Sequence, residues 1–138
     1  MIIDYSKKEF TLDEQRRIFK ETERLKQSNP NHIPVLIQID SNILKMDKQK
    51  FLISNDINIH DFISGTLKKK LINFYNDDLS IKIIKLNTLQ QIKLPISQTR
   101  MIDIYDEYKD TQTNLLILRV SRKTTYKWIK KYARYLLG

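Results

Sequence analysis

The sequence predicts an α+β domain, a mixed β-sheet with helices on its faces, and three observations carry that prediction. The run from Ile33 to Ile39 is almost continuously apolar, which in so short a stretch marks a strand buried on both faces. The next run, from Lys48 to Ser54, alternates, with Phe51 and Ile53 on one side and Lys50, Leu52 and Ser54 on the other. That is a half-buried strand near a sheet edge, guarded by Lys48 and Lys50. From Asn114 to Val120 the chain is again apolar enough for a central strand. A central strand beside an accessible one suits capture of an extended peptide by strand addition.

The other elements follow in chain order. Residues 1–10 are predicted to be a flexible lead-in. Thr11 and Glu14 have the spacing of a capping box, so a helix begins near Leu12. Ile18, Phe19 and Leu25 give it a narrow apolar face among charged residues, so it is expected to lie on a sheet. Pro30 within Ser28-Asn29-Pro30-Asn31 stops it, because proline disfavours helical geometry in the residue before it. The connection from Asp40 to Asp47 is polar apart from Ile43, Leu44 and Met46. Asn58 caps a second helix whose stripe is Ile59, Phe62, Ile63, Thr66, Leu67 and Leu71, with Lys68, Lys69 and Lys70 near its C-terminal end. Gly65 inside that helix costs about 1 kcal/mol against alanine, which predicts a close packing contact there. Asn76-Asp77-Asp78 forms a turn, Ser80 to Leu86 a third strand, and Pro95 and Ser97 precede a short helix from Gln98 to Tyr108.

The order helix, strand, strand, helix, strand, short helix, strand contains that of the ubiquitin-like β-grasp, whose first and last strands pair in parallel at the centre. Neither presumed central strand has a polar face, so the N-terminal helix is expected to cover the second side of the sheet. The predicted division is 1–28, an N-terminal helical extension; 29–121, a ubiquitin-like domain; and 122–138, a basic tail, predicted helical, ending in glycine.

Composition narrows the function. A chain of 138 residues, 41% hydrophobic, can bury one core as a single domain. The absence of cysteine excludes a disulfide framework, a thiolate metal site and a cysteine nucleophile. No run is long and apolar enough to span a bilayer, and the N-terminus does not read as a signal peptide, so a cytoplasmic location is expected. His32 and His60 stand far apart, and Asp77-Asp78 and Asp103 with Asp106 read as turn and helix-surface charges. With no glycine-rich loop and no metal-ligand cluster, no catalytic residue, metal or cofactor is predicted, and the chain is not expected to be an enzyme. The net charge of +9 calls for an acidic partner. No Asp or Glu follows Asp110, whereas Arg119, Arg122, Lys123, Lys127, Lys130, Lys131 and Arg134 do. The tail has three readings. It is a helix packed on the domain, an interfacial helix placing Lys127, Trp128, Lys131 and Tyr132 at a membrane, or, ranked last, a nucleic-acid patch.

Three motifs carry a resemblance. N-P-N-H-I-P-V-L-I resembles the Y-P-D-R-[VI]-P-V-I-[VC] of the autophagy ubiquitin-like modifiers, the GABARAP-type proteins. D-K-Q-K-F-L-I-S-N-D-I resembles their D-K-[KR]-K-Y-L-V-P-S-D-[IL]. M-I-D-I-Y-D-E-Y-K-D before a hydrophobic strand resembles M-[GS]-x-[LI]-Y-x-x-x-K-D-x-D-G-F-L-Y. The three fall in family order over roughly residues 12 to 121.

The resemblance implies a modifier activated through its C-terminal glycine, here Gly138. An activating enzyme adenylates the carboxylate with ATP, which this chain does not itself bind. The acyl group then passes as a thioester to a conjugating enzyme and ends as an amide on phosphatidylethanolamine. It also implies recruitment of aromatic-x-x-aliphatic motifs by strand addition, and a processing protease as a partner if residues follow the glycine. The first peptide pocket would include Leu25, Pro34, Lys50 and Leu52, with His32 and Ile33 nearby; the second would include Phe51, Ile53, Ile57 and Phe62. The chain departs from the family pattern at His32, at Ser54, at Gly65 and in its long tail. The expected location is cytoplasmic, then membrane-attached on autophagosomes or a related organelle after conjugation. The alternatives are the protein-conjugated sister modifier of the same pathway, and a non-conjugated basic adaptor for nucleic acid or membrane surfaces.

Overall fold

The computed structural model describes residues 3–39, 45–46, 48–72, 79–86, 90–93 and 98–122. The expectations at Ile43, Leu44, Asn76 to Asp78, Pro95, Ser97 and the tail beyond Arg122 lie outside these residues. In chain order the elements are α1 (Leu12–Ser28), β1 (His32–Ile39), β2 (Lys45–Met46), β3 (Lys50–Ser54), α2 (Ile59–Phe62), a π-helical turn (Ile63–Leu67), α3 (Lys68–Lys70), β4 (Leu71–Ile72), β5 (Leu79–Lys85), β6 (Gln90–Lys93), α4 (Met101–Tyr108) and β7 (Leu116–Arg122).

Among the described residues the main sheet has five strands in the order β3-β1-β7-β5-β6. β1 and β7 lie parallel at its centre, from Val35 opposite Leu116 to Ile39 opposite Val120, as the two apolar runs predict. The other pairings are antiparallel, and β3 is an edge strand. The short strands β2 and β4 form a separate pair. Sequence reasoning missed three strands. β2 and β4 have two residues each, too short for a period to show, and β6 is the largely polar run Gln-Gln-Ile-Lys. The last strand starts later than expected because Asn114 is still in the preceding turn, at a φ of 62°, a left-handed conformation that asparagine tolerates better than most residues.

Helix α1 begins where its cap dictates. The Thr11 hydroxyl accepts from the Glu14 N–H at 3.1 Å, and the Thr11 N–H donates to the Glu14 carboxylate at 3.0 Å. Asn29 closes the other end, its side-chain amide donating to the Leu25 carbonyl at 3.0 Å. Ile18 and Thr22, four residues apart, press on the sheet and are fully buried. Phe19 was expected on that face but is exposed, since it stands about 100° round the helix from Ile18. Under α1, Ile18 meets Leu36, Ile84, Leu115 and Ile117 on the second face of the sheet, so the spare helix does cover it.

The lead-in was expected to be flexible, yet the described part is packed. Phe10 is buried in that second core, with Ile3 and Tyr5 against it. Lys7 pairs with Glu14 at 2.6 Å, and the Gln38 side chain donates to the carbonyls of Lys7 and Lys8 at 3.3 and 3.4 Å.

The larger core lies on the opposite face. Val35, Ile37, Leu116 and Leu118 meet Phe62, Leu67, Met101, Ile104 and Tyr105 there. The second helix was expected to be one continuous element, but it widens into the π turn, with the Lys68 N–H bonded to the Ile63 carbonyl. Its apolar residues supply the reason. Phe62 and Leu67 are five positions apart and would sit about 140° apart on an ideal α-helix. The wider turn accommodates one extra residue, so both reach the core and are fully buried. Gly65 lies in this turn, and a Cβ there would meet nothing within 4 Å. The predicted close contact is absent; the glycine is exposed.

Candidate functional site: the open edge of the sheet

The edge strand β3 is where the chain can accept another strand. Ile37 N–H donates to Gln49 at 2.8 Å and Asn55 N–H to Asn31 at 3.0 Å. In an antiparallel ladder the bonding alternates residue by residue. Residues 49, 51, 53 and 55 therefore bond toward β1, and Lys50, Leu52 and Ser54 turn their N–H and C=O groups to the free edge. Pro34 stands opposite Leu52, in a non-bonded pair, so its missing N–H leaves no gap in that ladder.

Beside this edge a groove of about 400 Å³ runs between α1 and β3, lined by Glu21, Leu25, Lys48, Lys50, Phe51 and Leu52. Its apolar part comes from Leu25, Leu52 and Phe51. Its charged part is a small network. Lys50 Nζ lies 3.4 Å from Glu21 and donates to the Tyr5 hydroxyl at 3.1 Å, while that hydroxyl donates to Glu21 at 2.9 Å. The ammonium also stands 4.8 Å from the centre of the Tyr5 ring. Burial pushes the Lys50 pKa below its usual 10.5, and the Glu21 carboxylate pulls it partly back. Burial, then the bond to Glu21, raises that of Tyr5. Lys48 Nζ lies 5.7 Å from the centre of the Phe51 ring.

The family model described as "Autophagy protein Atg8 ubiquitin like" matches residues 16–127 of this chain. The chain belongs to the Atg8 family. Solved structures agree in fold. The crystal structure of Trypanosoma brucei ATG8 is similar at a TM-score of 0.62 and 22% identity, covering 91% of this chain and 99% of that one. Plasmodium falciparum Atg8 in complex with a Plasmodium falciparum Atg3 peptide is similar at 0.64 and 21%, covering 79% and 90%.

In this Atg8-family chain the residues expected at a peptide dock divide between two faces of the sheet. Leu25, Lys50 and Leu52 meet at the groove, with Pro34 buried behind Leu52 and His32 exposed at the start of β1. Ile33, Phe51, Ile53 and Phe62 are buried in the larger core, although Phe51 also borders the groove. Ile57 and the neighbouring Ile63 are among the half-buried residues packed against that core. Tyr5, Glu21 and Lys48 were not foreseen as members. The apolar and aromatic residues Ile3, Tyr5 and Phe10 in the lead-in were the signal that it packs. Gly138, Lys127, Trp128, Lys131 and Tyr132 lie outside the described residues. Among the described residues no group of His, Asp and Glu could hold a metal ion, and no helix is long and apolar enough to cross a membrane.

Proposed function

We propose that this autophagy ubiquitin-like protein is conjugated through Gly138 to phosphatidylethanolamine and recruits aromatic-x-x-aliphatic segments onto β3. The observation that carries the recruitment half is the free edge at Lys50, Leu52 and Ser54 beside an apolar groove. An extended peptide there gains backbone hydrogen bonds from the edge and specificity from the pocket. In this reading the aromatic residue enters between Leu25 and Leu52, with Pro34 behind, while the aliphatic residue lies against Ile57 and Ile63, over Phe51, Ile53 and Phe62. His32 and Lys50 flank the peptide.

Family membership supports the conjugation half. Gly138 is the residue we assign to it by the resemblance to the family's conjugated glycine. Its carboxylate is adenylated by an activating enzyme with loss of pyrophosphate from ATP. It then forms thioesters with the activating and conjugating enzymes and finally an amide with the lipid amine. Glycine suits this because a residue without Cβ threads a narrow channel. The chain is substrate in these steps, not catalyst, and needs no cofactor of its own. The Plasmodium structure is of an Atg8 with an Atg3 peptide, and we extend that to a conjugating-enzyme peptide as a partner here. The basic stretch 122–138, with Lys127, Trp128, Lys131 and Tyr132, is assigned to the membrane surface. The protein is then cytoplasmic before conjugation and autophagosomal after it.

Incubation with activating and conjugating enzymes, ATP and phosphatidylethanolamine liposomes tests the attachment. A lipid adduct lost in Gly138→Ala is expected; no thioester and no adduct overturns it, and an adduct on a protein lysine favours the sister modifier. For recruitment, Leu52→Asp is expected to weaken aromatic-x-x-aliphatic peptide binding at least about tenfold, because it places a charge where an apolar side chain must be buried. Thioester formation at Gly138 should survive that change. Unchanged peptide affinity would remove β3 from the proposal.

A further inference from the structure

The free edge of β3 does not end at Leu52. On either side of Ser54 the chain bonds inward: Ile53 stands opposite Ile33, and the Asn55 N–H donates to the Asn31 carbonyl at 3.0 Å. Ser54 itself stands opposite His32 in a non-bonded pair. Its N–H and C=O are therefore turned outward, like those of Lys50 and Leu52. Its side chain is half-buried, and the hydroxyl accepts the Asp56 N–H at 3.4 Å, in the turn that leaves the strand. What Ser54 offers a peptide is thus its backbone. The motif that this stretch resembles has proline here, which has no N–H to give. Serine adds a donor to the edge.

Which peptide atom meets that donor follows from the dock proposed above, on which this step rests. The aromatic residue lies by Leu52 and the aliphatic residue lies toward Ile57, so the peptide runs parallel to β3. Residues three apart on an extended strand point to opposite faces. The aromatic side chain shares the α1 face with Lys50 and Leu52; the aliphatic one shares the larger-core face with Phe51 and Ile53. Residues directly opposite in a sheet point to the same face. Of Phe51 and Ile53, Ile53 is nearer in the chain to Ile57, so the aliphatic residue stands opposite Ile53 and the aromatic residue opposite Lys50. In a parallel pair, a residue bonds through its N–H and C=O to the two residues that flank its opposite number. The aliphatic residue then gives its N–H to the Leu52 carbonyl, and its own carbonyl receives the Ser54 N–H.

We propose that Ser54 is a specificity-determining residue of this dock, holding the aliphatic residue of the peptide at its carbonyl through the backbone N–H. The edge so extended selects segments that stay extended through the aliphatic residue. A segment that turns there loses the bond.

A blocked Ser-Trp-Glu-Ser-Leu-Ala-Ser peptide tests it on the full chain, beside a counterpart in which lactic acid replaces the alanine. The ester makes the leucine carbonyl a weaker acceptor, and the N–H it removes belongs to a residue whose N–H is turned away from β3. The ester peptide should bind about fivefold more weakly, the loss of one hydrogen bond. Ser54→Pro should weaken the amide peptide equally and the ester peptide no further, so that the two losses do not add. Ser54 is in a non-bonded pair with His32, so that variant costs no bond to β1. Ser54→Ala retains the N–H and should retain the difference between the peptides. Deuterium exchange of the Ser54 amide should slow on saturation together with that of Leu52. Equal affinity of the two peptides for the unaltered chain overturns the proposal, as does slowing at Leu52 without slowing at Ser54. Either result leaves the dock standing as long as Leu52→Asp still weakens binding. If Leu52→Asp binds as the unaltered chain does, the dock falls and this contact with it.

Discussion

Asp110 is a fully buried carboxylate with three donors turned on it. The Leu86 N–H reaches it at 3.0 Å, the Thr113 N–H at 3.0 Å and the Thr113 hydroxyl at 2.6 Å. It therefore joins the end of β5 to the turn before β7. Asp110→Ala would strand those donors in the interior, and a destabilisation of about 3 kcal/mol is expected, read from urea denaturation. Glu14 is a different case, half-buried and acid-sensitive. Its carboxyl is held below the usual 4.5 by the hydrogen bond from Lys7 first and by the Thr11 N–H second. An acid depressed by folding contributes stability that is present above its unfolded pKa and lost as pH falls through the folded one. The tether between lead-in and α1 is thus expected to loosen below pH 4.5. Lys7→Met should move the Glu14 titration upward, followed by its carboxyl carbon resonance. The Thr11–Glu14 cap was legible in the sequence because both partners lie within one turn. The Asp110 contact to Leu86 spans 24 positions, and no local pattern announces it.

Among the elements, the interrupted second helix shows where periodicity misleads. The stripe from Ile59 to Leu71 contains the right residues, and Ile59, Phe62, Leu67 and Leu71 are buried. Their spacing fits a helix only if one turn widens, and the π turn at Ile63–Leu67 supplies that. Gly65 has open space around it, so Gly65→Ala should stabilise by about 0.5–1 kcal/mol by lowering the entropy of the unfolded chain. A higher melting temperature would show it; a loss of stability would mean that the widened turn needs glycine. The edge strand was read correctly from alternation, since one face of β3 is buried while the Lys50 and Leu52 face is half-open. The same alternation sets Lys50 and Leu52 apart from Phe51 and Ile53, but the grouping of these residues into pockets came from the family resemblance alone. The network of Tyr5, Glu21 and Lys50 was not legible, because it joins a lead-in, a helix and a strand.

For the whole molecule, the two faces of the sheet have different covers. One faces α2, the π turn and α4; the other faces α1 and the lead-in. Deleting residues 1–28 would uncover Leu36, Ile84 and Ile117 together, an apolar patch that monomers rarely expose. Such a truncation is expected to bind the dye ANS and to aggregate. A folded, monomeric truncation would show that α1 is dispensable to the core. By itself the sequence determined the strand centre, the edge strand, the α1 cap and the need for a cover on the second face. All of these follow from hydrophobic period and short-range capping, which are local. Only the tertiary structure decided that the lead-in packs and that Phe62 and Leu67 share a face. Those outcomes depend on contacts between residues far apart in the chain, whose closure a linear pattern does not encode.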